Sequence, residues 1–166
     1  NDLNGNIKYR RSVNTVTQTL VLMMDVIEHV DDDVGLIQQY SDRMPPGSQL
    51  LITVPAFEWL WSQHDEFLEH RRRYNLQNLE RVVHEAGLEV VKTRFYYASI
   101  FPIVAVIRFT KKIFFRETKM KKQSDLKSYG EFTNKVLLLI LSAERRLLLP
   151  INRWFGVSLF CLARKQ

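Results

Sequence analysis

Two short apolar runs, each closed by a sharp polar or proline stop, do most to limit what this chain can fold into. They are Leu20-Val-Leu-Met-Met24, followed by Asp25, and Gln49-Leu-Leu-Ile-Thr-Val54, followed by Pro55. Neither alternates with polar residues, as a strand with one wet face would. Such runs mark strands of a parallel sheet buried on both faces. Between them Asp31-Asp-Asp33 can cap and charge a helix N-terminus, and Val34, Ile37, Ser41 and Met44 fall on one helical stripe. Pro45-Pro-Gly47 ends that helix in a turn. A second helix follows Asn75, with its stripe at Leu76, Leu79, Val82, Val83 and Ala86 and its stop at Gly87. Leu88 to Tyr96 and Gly156 to Ala163 read as two further strands, and Ile7 to Arg10 as a short one before a polar loop from Ser12 to Thr19. Strands alternating with helices predict an α/β fold with parallel strands.

Length and composition narrow the class. The chain has 166 residues, 46% of them apolar, enough for one domain with a real core. Its one cysteine, Cys161, cannot pair within the chain, and no Cys/His cluster suggests structural zinc. These features fit a reducing, cytoplasmic setting. The first residues lack the layout of a signal peptide and an initiator methionine, so the expectation is a chain that begins partway through a longer protein.

The charge is local. Between positions 108 and 122, Arg108, Lys111, Lys112, Arg116, Lys119, Lys121 and Lys122 face Glu117 alone, a balance equal to the +6 of the whole chain. That argues against a protein that coats nucleic acid and for one basic face. The stretch from 97 to 150 is apolar, basic and helical in character. Its apolar run from Ala98 to Phe109 is interrupted by Pro102 and closed by cations, too short for the roughly 20 residues that span a bilayer. Two readings stay open: a helical subdomain covering the sheet, and a helix lying on a membrane surface with basic flanks.

Three segments in order resemble the class I methyltransferases. Leu20-Val-Leu-Met-Met-Asp-Val-Ile-Glu-His-Val30 is similar to that family's fourth strand and following turn, where D-x-x-E-H-V is common. Pro45-Pro-Gly-Ser-Gln-Leu-Leu-Ile-Thr-Val-Pro55 resembles its turn into strand five. Phe57-Glu-Trp-Leu-Trp-Ser-Gln-His-Asp-Glu-Phe-Leu-Glu-His-Arg-Arg-Arg-Tyr74 looks like a longer signature of one bacterial and archaeal branch, and Phe155 to Lys165 like its last strand. The resemblance implies a Rossmann-like methyltransferase sheet, truncated at the N-terminus: strands four to seven, a strand-three remnant, and a helical insertion before the last strand. The divisions expected are a core over 1–96, a basic helical insertion over 97–150 and a last strand over 156–164. The family's glycine loop, which lets the backbone approach the donor, has no counterpart. The six glycines, Gly5, Gly35, Gly47, Gly87, Gly130 and Gly156, are all far apart.

What the resemblance implies for chemistry is transfer of a methyl group from S-adenosylmethionine to a small-molecule or lipid-linked acceptor. Met24, Asp25, Glu28 and His29 are expected on the cofactor side. His64 is a candidate general base, since a histidine titrates near working pH, with Asp65 beside it. Trp61, His70, Arg72 and Tyr74 are expected on the acceptor side, with an arginine available to a phosphate or carboxylate. Asp25-Val-Ile-Glu28-His29 also resembles the E-x-x-E-H metal site of ubiquinone-type and small-RNA 3′-end methyltransferases. Its first acid is the shorter aspartate, and the expectation is no metal. The protein is expected in the cytoplasm, with peripheral contact at the inner face of the membrane through residues 97–122 and no nucleic-acid partner. The alternative is a non-catalytic module that binds a partner or membrane through the same basic region.

Overall fold

The computed structural model describes residues 16–114 and 130–166. The expected strand at Ile7 to Arg10 lies outside them, as do Phe115, Arg116, Glu117, Lys119, Lys121 and Lys122 of the basic stretch.

Four strands form one sheet: β1 (Leu20–Met24), β2 (Gln49–Pro55), β3 (Leu88–Tyr96) and β4 (Ser158–Lys165), in the order β1-β2-β4-β3. β1 and β2 pair parallel, Leu20 opposite Gln49 and Met24 opposite Thr53. β4 enters between β2 and β3 and runs antiparallel to both. All four apolar runs are therefore strands, but the last reverses direction.

Two helices cover one face of the sheet, α1 (Asp33–Ser41) and α3 (Leu76–Glu85). Asp32 caps α1 by accepting from the Gly35 N–H, and Asn75 caps α3 by accepting from the Asn78 N–H. Turns at Gly47 and Gly87 use positive φ angles of 80° and 77°, a region that costs glycine nothing. Beneath the helices Met23, Leu50, Ile52, Val54, Leu159, Cys161 and Ala163 interlock with Ile37, Leu79 and Val83 as the core.

The other face is different. Leu20, Leu22 and Met24 are 46%, 55% and 56% exposed, and Leu51, Phe160 and Leu162 are only half-buried. The register places Leu22 opposite Leu51 and Leu51 opposite Leu162, so an apolar row crosses the sheet. The expectation that β1 is buried on both faces fails because only one helical layer lies on the sheet among the described residues.

The remaining helices are α2 (Gln63–Phe67), α4 (Phe101–Phe114) and α5 (Glu131–Leu147). The buried Glu144 of α5 ties it to the start of α4, accepting from the Ala98 N–H at 2.8 Å, the Ser99 N–H at 2.9 Å and the Ser99 hydroxyl. These helices do not cover the sheet, contrary to the first of the two readings. Ile103, Val106, Phe109, Leu138 and Leu139 are all more than three-fifths exposed. Among the described residues no helix is long and apolar enough to cross a membrane.

Gly156, just before β4, is held by space. A Cβ there would press on the Tyr96 carbonyl and lie 2.9 Å from the Phe95 Cβ, whereas at Gly130 it would meet nothing within 4 Å. Gly156→Ala should lower unfolding stability by about 1–3 kcal/mol through overpacking. Gly130→Ala should leave it unchanged, with urea unfolding as the measurement for both.

Candidate active site

In open α/β sheets ligands gather outside the carboxyl ends of the parallel strands. Here β1 and β2 end at Met24 and Pro55, and the loops beyond them build a cavity of about 1030 Å³.

The first loop begins at Asp25, whose φ of 52° puts a non-glycine residue in the left-handed region. Aspartate tolerates this better than most residues, and the strain is held by neighbours. The Asp25 N–H donates to the Thr53 carbonyl at 3.0 Å and reaches its hydroxyl at 3.2 Å, while that hydroxyl lies 3.4 Å from the Asp25 carboxylate. Burial pushes the Asp25 carboxyl above its usual value, against the lowering by the Thr53 hydroxyl and the two nearby histidines.

The chain then makes a 3-10 turn over Ile27–His29. Glu28 is wholly buried there, and neither carboxylate oxygen has a hydrogen-bond partner among the described residues. Burial, with Asp25 adding repulsion, raises its carboxyl to about 7. His29 Nε2 sits 4.0 Å from Glu28 Oε1.

The second loop runs from Ala56 to Tyr74, and its two ends are joined by a parallel bridge. Its anchor is Asp65, fully buried. Arg73 Nε donates to it at 2.7 Å, the Ser62 N–H at 2.8 Å and His70 Nδ1 at 3.0 Å, with Arg108 Nη1 3.7 Å away. Burial alone would raise the Asp65 carboxyl, but Arg73, His70 and Ser62 together hold it below the ordinary range. Burial also lowers His70, against the pull of Asp65. The Arg71 N–H donates to the Glu28 carbonyl at 2.7 Å, which brings the two loops together and sets the His70 ring edge-on to His29, centroids 4.7 Å apart.

The cavity is lined by Asp25, Glu28, His29, Trp61, His64 and His70, with Lys111 and Lys112 of α4 also on its wall. Met24 is exposed on the bare sheet face beside Asp25. Three expected site residues are instead committed to the fold. Asp65 is sealed beneath the loop. Tyr74 is buried, donating to Asp33 Oδ2 at 2.7 Å, and burial with that carboxylate raises its hydroxyl. Arg72 donates to Asp33 at 3.2 Å and to the Val30 and Asp31 carbonyls. Their hydrogen-bond partners hold all three away from the cavity, which none of them lines. Trp59, half-exposed, packs on Phe57 and Phe101 at 5.7 and 5.8 Å. Sequence reasoning missed Lys111 and Lys112 as cavity residues, and it gave Glu144 no part. The signal for the lysines was their place one turn beyond Arg108.

Glu28, His29 and His70 could hold a cation, since one donor atom from each lies within 4.8 Å of the others. For a nucleotide-bearing cofactor the fit is partial. Asp25 suits a positive charge, but none of the described glycines lines the cavity.

A family model described as a methyltransferase domain matches residues 10–93. No curated protein matches the chain. Among solved structures it is similar to phosphoethanolamine N-methyltransferase 2 of Haemonchus contortus in complex with S-adenosyl-L-methionine, at 15% identity and TM-score 0.45, covering 89% of this chain and 33% of that one. It is also similar to a SAM-dependent methyltransferase from Archaeoglobus fulgidus, at 16% identity and TM-score 0.46, covering 89% and 59%. The chain thus spans a third to about three-fifths of those proteins' length.

Asp65→Asn should destabilise the fold by about 3–5 kcal/mol, because it strands the Arg73 guanidinium, 3% exposed, without its counter-charge. Urea unfolding would show the midpoint fall. A variant as stable as the parent would mean the ion pair holds nothing together.

Proposed function

The chain belongs to the class I methyltransferase family, and from that we propose that it forms the acceptor-side part of an enzyme acting on a small-molecule or lipid-linked substrate. S-adenosylmethionine, when bound, supplies a methyl group activated on a positively charged sulfur. The residues of this chain would bind and align around it. Asp25, fixed at the end of β1, would offer its carboxylate to the donor's positive charge. Glu28 and His29 stand on the same wall. His64, which also lines the cavity, would take the proton of an acceptor hydroxyl or amine, and Trp61 would shape the acceptor's place. The observation that carries this reading is the strained Asp25 turn opening on a large cavity at the carboxyl ends of β1 and β2.

Lys111 and Lys112 on the cavity wall favour an anionic acceptor. The apolar residues of α4 and α5 favour one met at a membrane surface. Cations beside an apolar face give two additive contributions, the electrostatic one about 1 kcal/mol for each basic residue near anionic headgroups. The protein would then lie peripherally on the inner face of the membrane, with the acceptor reaching the cavity past Lys111 and Lys112.

Methyl-labelled S-adenosylmethionine, incubated with the protein and a lipid extract, should label an acidic lipid or soluble acceptor. His64→Ala should cut turnover about a hundredfold with cofactor affinity kept. Asp25→Ala should weaken cofactor affinity instead. Identical behaviour of the two variants would overturn the role assignment. The 166-residue chain by itself should show no micromolar binding of the cofactor by isothermal titration, since its described glycines offer no cradle. Co-sedimentation with anionic vesicles should fall with salt and with Lys111→Glu and Lys112→Glu together; no binding at low salt would end the membrane reading.

A further inference from the structure

Glu28 poses a problem that the methyl-transfer reading does not use. Its carboxylate is fully buried, and both oxygens lack a hydrogen-bond partner among the described residues. Native folds seldom bury a polar group so bare, because desolvation then goes uncompensated. The groups nearest to it are two imidazoles, His29 from its own turn and His70 from the other loop. One donor atom from each of the three lies within 4.8 Å of the others.

The surroundings of His70 narrow its role. Its Nδ1 lies 3.0 Å from Asp65 Oδ1, and Asp65 is fixed in turn by Arg73 and Ser62. With Nδ1 donating to the carboxylate, the lone pair is on Nε2. A carboxylate behind an imidazole is how proteins orient a histidine that binds metal. Held by that contact, with its ring set edge-on to His29, His70 is the rigid member of the group. His29 is the adjustable one, its side chain 37% exposed. Donors bound to one ion at about 2.1 Å stand roughly 3.0–3.4 Å apart, so the three must draw in on binding, and the part-exposed His29 has the most room to turn.

We propose that Glu28, His29 and His70 form a site for a divalent transition-metal ion, fixed by one carboxylate and two imidazoles and open on its remaining side to the cavity. Two imidazole nitrogens and one carboxylate oxygen suit zinc, cobalt or iron(II); calcium, magnesium and manganese prefer all-oxygen donors. This reverses the expectation of no metal. His70 lies in a separate loop, and the spacing of Asp25, Glu28 and His29 says nothing of it. The site does not depend on the methyl-transfer reading, so its test uses neither donor nor acceptor and the two can fail separately.

The full chain, stripped with chelator, is titrated with cobalt(II) alone and followed by visible absorption. The expected result is a saturable cobalt–imidazole spectrum at one ion per chain, displaced by zinc and untouched by calcium, with a rise in melting temperature. His29→Ala, at an exposed position, should keep the parent's circular dichroism and bind cobalt more than about tenfold more weakly. Glu28→Gln keeps the shape of the side chain and should also lose affinity, while His84→Ala, on the outer side of α3, should not. No saturable spectrum would overturn the site and leave a proton or another part of the protein as the partner of Glu28. Unchanged affinity in both His29→Ala and Glu28→Gln would place the ion elsewhere and equally overturn it.

Discussion

The ion pair between Asp65 and Arg73 governs how the second loop stands over the sheet. Two charges buried this deeply are costly unless every remaining donor and acceptor is met. Here they are met. Arg73 also donates to the Ala56 carbonyl at 2.9 Å, and its own N–H goes to Glu58 at 3.0 Å. Ser62 and His70 close the other side of Asp65. The loop is thereby pinned at its beginning, middle and end. The neighbouring side chains extend the anchorage, because Arg72 and Tyr74 both bind Asp33 and so fix the start of α1. A segment that the sequence marks as a signature rich in charge and aromatics is, in structure, a braced wall, and His64, His70 and Trp61 stand on it.

The elements were far more legible than the wall. Continuous apolar runs, capping residues at Asp32 and Asn75 and stops at Gly47 and Gly87 are local signals, and they find the strands and helices, although α1 ends at Ser41, a turn short of the expected stripe's Met44. Three features were not local. The reversed direction of β4 depends on which neighbours it meets, and its apolar run reads the same in either direction. The exposure of Leu20 and Leu22 depends on a second layer that pattern cannot supply. Asp65, Arg72 and Tyr74 have the chemistry of a site, and only their buried partners show that it is spent on the fold. His70 shares their loop, yet its ring reaches the cavity because the Arg71–Glu28 hydrogen bond carries it there.

α4 and α5 stand apart from this braced region energetically. Glu144 secures their junction, and an aromatic group joins α4 to the sheet, with Phe57 stacked on Phe95 at 5.0 Å and Phe101 beside Phe57 at 5.8 Å. Arg108 links α4 inward, donating to the Leu60 carbonyl and standing near Asp65. Outside those ties the apolar side chains of both helices meet solvent. A densely hydrogen-bonded wall and an exposed basic helix therefore border the same cavity.

The place of β4 has a consequence for how the chain comes to be folded. It is the last of the described strands, yet it lies between β2 and β3 and pairs with both along its length. While the polypeptide is still being made, β2 and β3 have no strand to bridge them, and the inner edge of each stays open. Pairings between such distant segments are slow to form, and open edges meanwhile invite contact with other chains. Closure of this sheet follows synthesis of residues 158–165, and until then the facing edges of β2 and β3 are unpaired.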